Sequence, residues 1–160
     1  MSANSHRTHT YRSAKSVDWK KAQQKAALAA RWAVTMAKVR IRRIASRTRW
    51  QLVTFYGKAG GESVGVVDLL AIRKDHRQPI GGIRRGDALQ IILIQVKGGD
   101  AAKPTLEDAG RLRLVAKRHC ARHVLLATWK KGTAARFFRL RRTSAREAWT
   151  EITNLDSVFR

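Results

Sequence analysis

Two apolar stretches of this 160-residue chain carry polar side chains at odds with their surroundings. Asp68 interrupts SVGVVDLLAI, and Gln95 and Lys97 interrupt ALQIILIQVK. Both runs are otherwise rich in Val, Leu and Ile, the composition of a strand. Alternation puts Gln95 and Lys97 on one face of theirs. If the intervening loop, centred near Ile80, joins the two as a hairpin, Asp68 falls opposite Leu93 and Gln95 becomes its diagonal neighbour. A carboxylate, an amide oxygen and an ammonium then converge on one strand pair, within reach of a shared metal ion. Such a set is costly as a purely structural feature, because an ionised group in an apolar sheet shifts its pKa or needs a partner.

The rest of the chain supplies elements to hold that pair. Residues 1–16 are polar and basic without an apolar period and read as a disordered arm. From residue 17 to about 45 a helix is expected, with Asp18 at its start and Leu28, Trp32, Met36 and Val39 as its apolar stripe. Lys20, Lys21, Lys25 and Arg31 lie largely off that stripe, either as a solvated face or as a grip on phosphates. After Arg49 the period becomes two. Strands are expected at Trp50–Tyr56, Ser63–Ile72 and Ala88–Lys97, the last closed by Gly98 and Gly99. Between the second and third runs a long basic loop, Arg73–Asp87, carrying Arg77, Arg84 and Arg85. Thr105 with Asp108 makes a capping pattern that opens a helix ending near His119. Two further strands, Arg122–Trp129 and Ala134–Leu140, precede a short helix in 144–160. Residues 17–160 thus form one domain with its core at 49–140: a mixed α/β (α+β) arrangement, an antiparallel three-strand meander, a crossover helix and two more strands.

Composition narrows the partners. Thirty-four Lys+Arg against 11 Asp+Glu give a formal charge of +23, and residues 1–50 hold 13 of those bases against Asp18 alone. Arginine outnumbers lysine, and its fork grips phosphate oxygens in pairs. Nucleic acid is the expected partner; a ribonucleoprotein or membrane-surface role is the alternative that charge leaves open. No apolar run approaches the roughly 18 residues of a membrane span. A single cysteine, Cys120, fits a reducing compartment, so a cytoplasmic or nucleoid-associated protein is expected. The arm's Arg- and Ser-containing, acid-free composition also resembles an organelle transit peptide.

Other candidates carry weaker signals. Lys103, Arg111 and Arg113, at or after the start of the Thr105 helix, could meet phosphate or simply face solvent. His119, Cys120 and His123 straddle a helix end and a strand start, with no further pair to complete a zinc site. Gly57–Gly61 lacks P-loop spacing. The five tryptophans fall mostly at core-facing spacings.

An aspartate on one strand, a loop, a second strand ending in (Asp/Glu)-x-Lys, then glycine and a helix is a pattern that resembles the PD-(D/E)xK nucleases. These share the restriction-endonuclease-like three-layer fold and include archaeal Holliday-junction resolvases. Here GVVDLLAIRK and IQVKGG carry the likeness, which covers about residues 49–140. The resemblance implies Mg²⁺- or Mn²⁺-dependent hydrolysis of phosphodiester bonds in DNA, branched or junction DNA included. Asp68 and Gln95 would be metal ligands. Lys97 would orient or deprotonate the attacking water, or stabilise charge on the phosphate. The family usually has an acid where Gln95 stands, and often a Glu on the first helix, where this chain has Gln23 and Gln24. Glu62 is the best substitute carboxylate, or else a solvated loop acid. Junction-cutting members tend to dimerise, so a homodimer is expected. The competing reading is a non-catalytic nucleic-acid-binding protein on the same fold with a degenerate site.

Overall fold

A computed structural model describes residues 18–55, 65–77, 81–143 and 147–160. Helix α1 (Trp19–Thr48) leads into strands β1 (Gln51–Thr54), β2 (Leu69–Lys74) and β3 (Leu89–Gly98). Helix α2 (Leu106–Arg118) then crosses over to β4 (His123–Trp129), β5 (Arg136–Leu140) and β6 (Trp149–Glu151). The six strands form one mixed sheet in chain order. β1–β2–β3 is the antiparallel meander, β4 is parallel to β3, and β5 and β6 return antiparallel. A parallel neighbour needs a crossover, and α2 provides it. The class is α+β, in three layers.

Alternation along β3 sorts the core onto the two faces. Ile92, Ile94 and Val96 pack with Ala33, Ala37 and Ile41 of α1 and with Val158 and Phe159 near the chain's end. Leu93 packs on the other face with Ala109 and Leu112 of α2 and with Trp149.

Helix α1 starts where expected, Asp18 accepting the Lys21 amide at 3.2 Å, but its buried stripe is different. The inward side is Ala33, Ala37, Ile41, Ile44 and Ala45. Leu28, Trp32 and Val39 are exposed at 56, 51 and 50%, and Trp19 at 74%. The reason is the closeness of the approach. A Cβ at Gly98 would lie 2.5 Å from the Ala29 carbonyl oxygen and 2.9 Å from the Ala33 Cβ, so only small residues fit beneath the helix. The expectation of core tryptophans is likewise corrected for Trp19 and Trp32, whereas Trp50 and Trp149 are buried.

Helix α2 is capped reciprocally: the Asp108 amide donates to Thr105 Oγ1, and the Thr105 amide to Asp108 Oδ2, each at 3.1 Å. The expected C-terminal helix is replaced by the edge strand β6 and a single 3-10 turn at Leu155–Val158. Residues 65–68 are bends or irregular rather than the start of a strand. The 1–16 arm, the glycine turn at 57–61 and Ser144 lie outside the described residues. Among the described residues no helix is long and apolar enough to cross a membrane.

Candidate active site

The hairpin register differs from the expected one. Leu70, not Asp68, lies opposite Leu93. That pairing centres the hairpin on Gly81 and Gly82, whose φ of +65° and +81° suits a reversal that other residues make only under strain. Asp68 is thereby carried toward Gln95. Its amide donates to the Ile94 carbonyl at 3.0 Å, although Ile94 is already the Cα partner of Leu69. Two residues addressing one is the pattern of a bulge, a device that re-aims a side chain at a strand end.

The Asp68 carboxylate accepts the backbone N–H of Val96 at 2.5 Å. Val96 stands between Gln95 and Lys97, so this bond ties the carboxylate to the centre of the Gln-x-Lys stretch. It also pairs an amide at a level that lies before the first residue of β2. Asp68 therefore has a structural task beside any chemical one.

Gln95 shares the α2 face with Leu93 by alternation, and only 6% of it is accessible. Its Oε1 is buried without a hydrogen-bond partner among the described residues. Lys97, two residues on, has the same parity and is half-buried. Its charge is felt at the opening turn of α2. Hydrogen bonds from the Thr105 amide and hydroxyl hold the Asp108 carboxyl below its ordinary range, and the charges of Lys97 and Arg111 lower it further. The nearness of Asp108 to Lys97 was hidden in the sequence, where Asp108 reads as a capping residue alone. Its signal was the crossover itself, which returns the start of α2 over the end of β3. Glu62 lies outside the described residues. Among those described, no three His, Cys, Asp or Glu side chains come together as a metal-binding group.

The basic candidates are dispersed. Lys20, Lys25 and Arg31 are exposed along α1, and Lys21 pairs with Asp18 at 3.3 Å. Arg77 is spent on Asp75 at 2.6 Å and holds that carboxyl well below the usual range. Arg84 and Arg85 are exposed beside the hairpin turn. The Lys103 ammonium sits 4.6 Å above the Phe138 ring, and Arg111 lies 3.9 Å from Asp108.

A second buried glutamine, Gln90, went unnoticed in the sequence. Its Oε1 accepts from Arg73 Nε at 2.9 Å and from Arg122 Nη1 at 3.2 Å, while its Nε2 donates to Asp75 at 3.0 Å. Both arginines also donate to the Arg160 carbonyl, at 2.9 and 2.6 Å. The Trp50 indole donates to the Phe159 carbonyl at 2.7 Å. This network locks residues 159–160 onto the sheet.

No family model and no curated protein sequence matches the chain. Among solved structures it is similar to Hjc of Archaeoglobus fulgidus, a Holliday junction resolvase from an archaeal hyperthermophile. The identity is 19%, the TM-score 0.38, and the match covers 76% of this chain and 88% of that one. A likeness of that depth bears on neither substrate nor mechanism.

Proposed function

We propose that this chain is a divalent-metal-dependent nuclease that hydrolyses phosphodiester bonds in DNA, with branched DNA among its substrates. One observation carries the reading: the buried Oε1 of Gln95, without a partner among the described residues, beside the amide that fixes Asp68 and on the face that Lys97 shares. Leaving a buried acceptor unsatisfied costs about 1–3 kcal/mol. Trp129 Nε1 and Trp149 Nε1 are also buried without a partner among the described residues, but both are donors, and Gln95 Oε1 is the acceptor of the three, the kind of atom a cation needs.

The donors fit Mg²⁺ or Mn²⁺. Mg²⁺ favours oxygen ligands and is commonly held by one or two carboxylates, with water and substrate phosphate completing the shell. Asp68 and Gln95 would hold the ion, with Glu62 as a third donor. When bound, such an ion polarises the phosphate and acidifies a coordinated water. The chain's own residues do the rest. The Val96 amide fixes the Asp68 carboxylate in direction. Lys97 donates to the attacking water or to the phosphate oxygens on which negative charge builds. The surplus of basic residues, +23 over the whole chain, draws the polyanion in.

The absence of a His, Cys, Asp or Glu trio among the described residues favours one second reading, a non-catalytic nucleic-acid-binding protein with a degenerate site. Incubation with supercoiled plasmid, single strands and a four-way junction in Mg²⁺ or Mn²⁺ separates the two. Cleavage that disappears in Lys97→Ala and Asp68→Ala while salt-sensitive binding persists supports the nuclease. Binding without cleavage of any of these substrates, in either metal, leaves the second reading.

A further inference from the structure

The start of β4, the far end of α2 and the end of β5 enclose an open cavity of about 1130 Å³. Seven of its sixteen lining residues are Lys or Arg, and none is acidic. Gln90 stands in its wall, five residues before Gln95 on β3, so the cavity lies about 17 Å along the strand from the candidate active site. We propose that this cavity is a second phosphate-backbone site, holding a nucleic-acid strand away from the place where it would be cut.

Some of its bases have structural duties. Arg122 serves Gln90 and Arg160, and Arg113 donates to the Arg141 and Thr143 carbonyls at 3.0 and 2.9 Å. Lys117 sits at the C-terminal turn of α2, where a cation suits the helix dipole. Arg139 and Arg142 have no such duty: Arg139 pairs in the sheet through its backbone, but neither guanidinium makes a hydrogen bond or ion pair among the described residues. Gathering unneutralised cations on a concave surface costs self-repulsion, which an anion would relieve. His123, in the same wall, registers this field. Burial first, then the charges of Arg139, Arg122 and Arg142, push its pKa down to about 4.

The choice of nucleic acid over a smaller anion follows from spacing. One strand of duplex advances about 3.4 Å per phosphate, so a strand at Gln95 comes level with the cavity after roughly five nucleotides. Small anions need no cavity of this size, and the exposed Arg118, next to the lining Lys117 at the end of α2, extends the basic surface beyond it. The proposal rests on nucleic acid being the partner, and not on cleavage.

The test is fluorescence anisotropy of a labelled 30-base-pair duplex with the full chain in EDTA, across a range of KCl concentrations. The Arg139→Ala/Arg142→Ala double variant should bind about tenfold or more weakly near 0.1 M salt. Its log Kd against log salt should be shallower by about 2, one unit per lost phosphate contact. In the parent protein the His123 ring should titrate at higher pH with duplex bound than without, read by NMR. This readout does not depend on the variant folding. Tight duplex binding by the parent with the double variant unchanged in affinity and slope, or with His123 unmoved, overturns the proposal and leaves the nuclease reading intact. No duplex binding by the parent overturns both. Loss of binding to phosphatidylserine vesicles instead of duplex would assign the cavity to a membrane surface and overturn it as well.

Discussion

β3 carries two buried glutamines, and they have opposite fates. Gln90 and Gln95 are each 6% accessible, five residues apart and on opposite faces. Gln90 has its oxygen engaged by two guanidiniums and its amide nitrogen by a carboxylate, and through them it anchors residues 159–160. Gln95 has an oxygen that nothing among the described residues meets. Burial alone therefore does not mark a functional residue in this molecule. A satisfied buried amide is architecture, and an unsatisfied one is the candidate for chemistry.

The sharpest way to break this contrast is to remove the chemistry and keep the fold. Asp68→Asn retains an oxygen for the Val96 amide but loses the negative charge. It and Lys97→Ala should each lower metal-dependent cleavage by 100-fold or more, measured as single-turnover rates, with the urea midpoint of Asp68→Asn near that of the parent. Activity within threefold of the parent in both would remove the active-site reading of this end of β3.

Stability should separate the two glutamines next. Gln90→Leu removes the acceptor of Arg73 Nε and one donor to Asp75 while their other partners remain, and should cost about 1–3 kcal/mol in urea unfolding. Gln95→Leu removes an oxygen that is unpaired among the described residues and should be neutral or stabilising in metal-free buffer. Equal losses at both positions would mean that Gln95 is satisfied in solution. Gly98→Ala tests the other constraint on β3. With the Ala29 carbonyl where a methyl would go, it should destabilise by about 1–3 kcal/mol, through α1 rather than through the site.

The smallest expected effect is in pH. The pKa of His123 is depressed to about 4, so between about 6.5 and 4 the unfolded chain binds more protons there than the folded one. Its contribution to stability is complete above about 6.5 and is lost as the pH falls toward 4. The carboxylates held low by partners, such as Asp100 by Lys130 and Glu151 by Arg136, lose their contribution only as pH falls below about 4. Urea midpoints between pH 6.5 and 4.5 should therefore fall in the parent and flatten in His123→Gln.

Much of this arrangement was legible because its signals are local. Thr105 and Asp108 announce a cap within four residues, and the strict alternation of β3 assigns Gln95 and Lys97 to one face whatever lies beyond. The antiparallel meander followed from three apolar runs and their turns. What escaped depends on distant partners. The inward face of α1 was misread because Leu28 and Trp32 are the more hydrophobic residues, while the close seat over Gly98 admits only alanines. The Asp68 register was misplaced by two residues because the hairpin turns at Gly81–Gly82 and two residues address Ile94. β6 is three residues long, too short for any period to show. Gln90 looks like any strand glutamine until Arg73 and Arg122, 17 residues before it and 32 after it, arrive at its oxygen.

The central claim is that the Gln95 oxygen is kept for a metal ion that Asp68 also binds. Crystals of the parent protein grown with Mn²⁺ test it directly through an anomalous difference map. A peak is expected within about 2.5 Å of both Gln95 Oε1 and an Asp68 carboxylate oxygen. A map with no peak there, and Gln95 Oε1 hydrogen-bonded to protein or to ordered water, would contradict it.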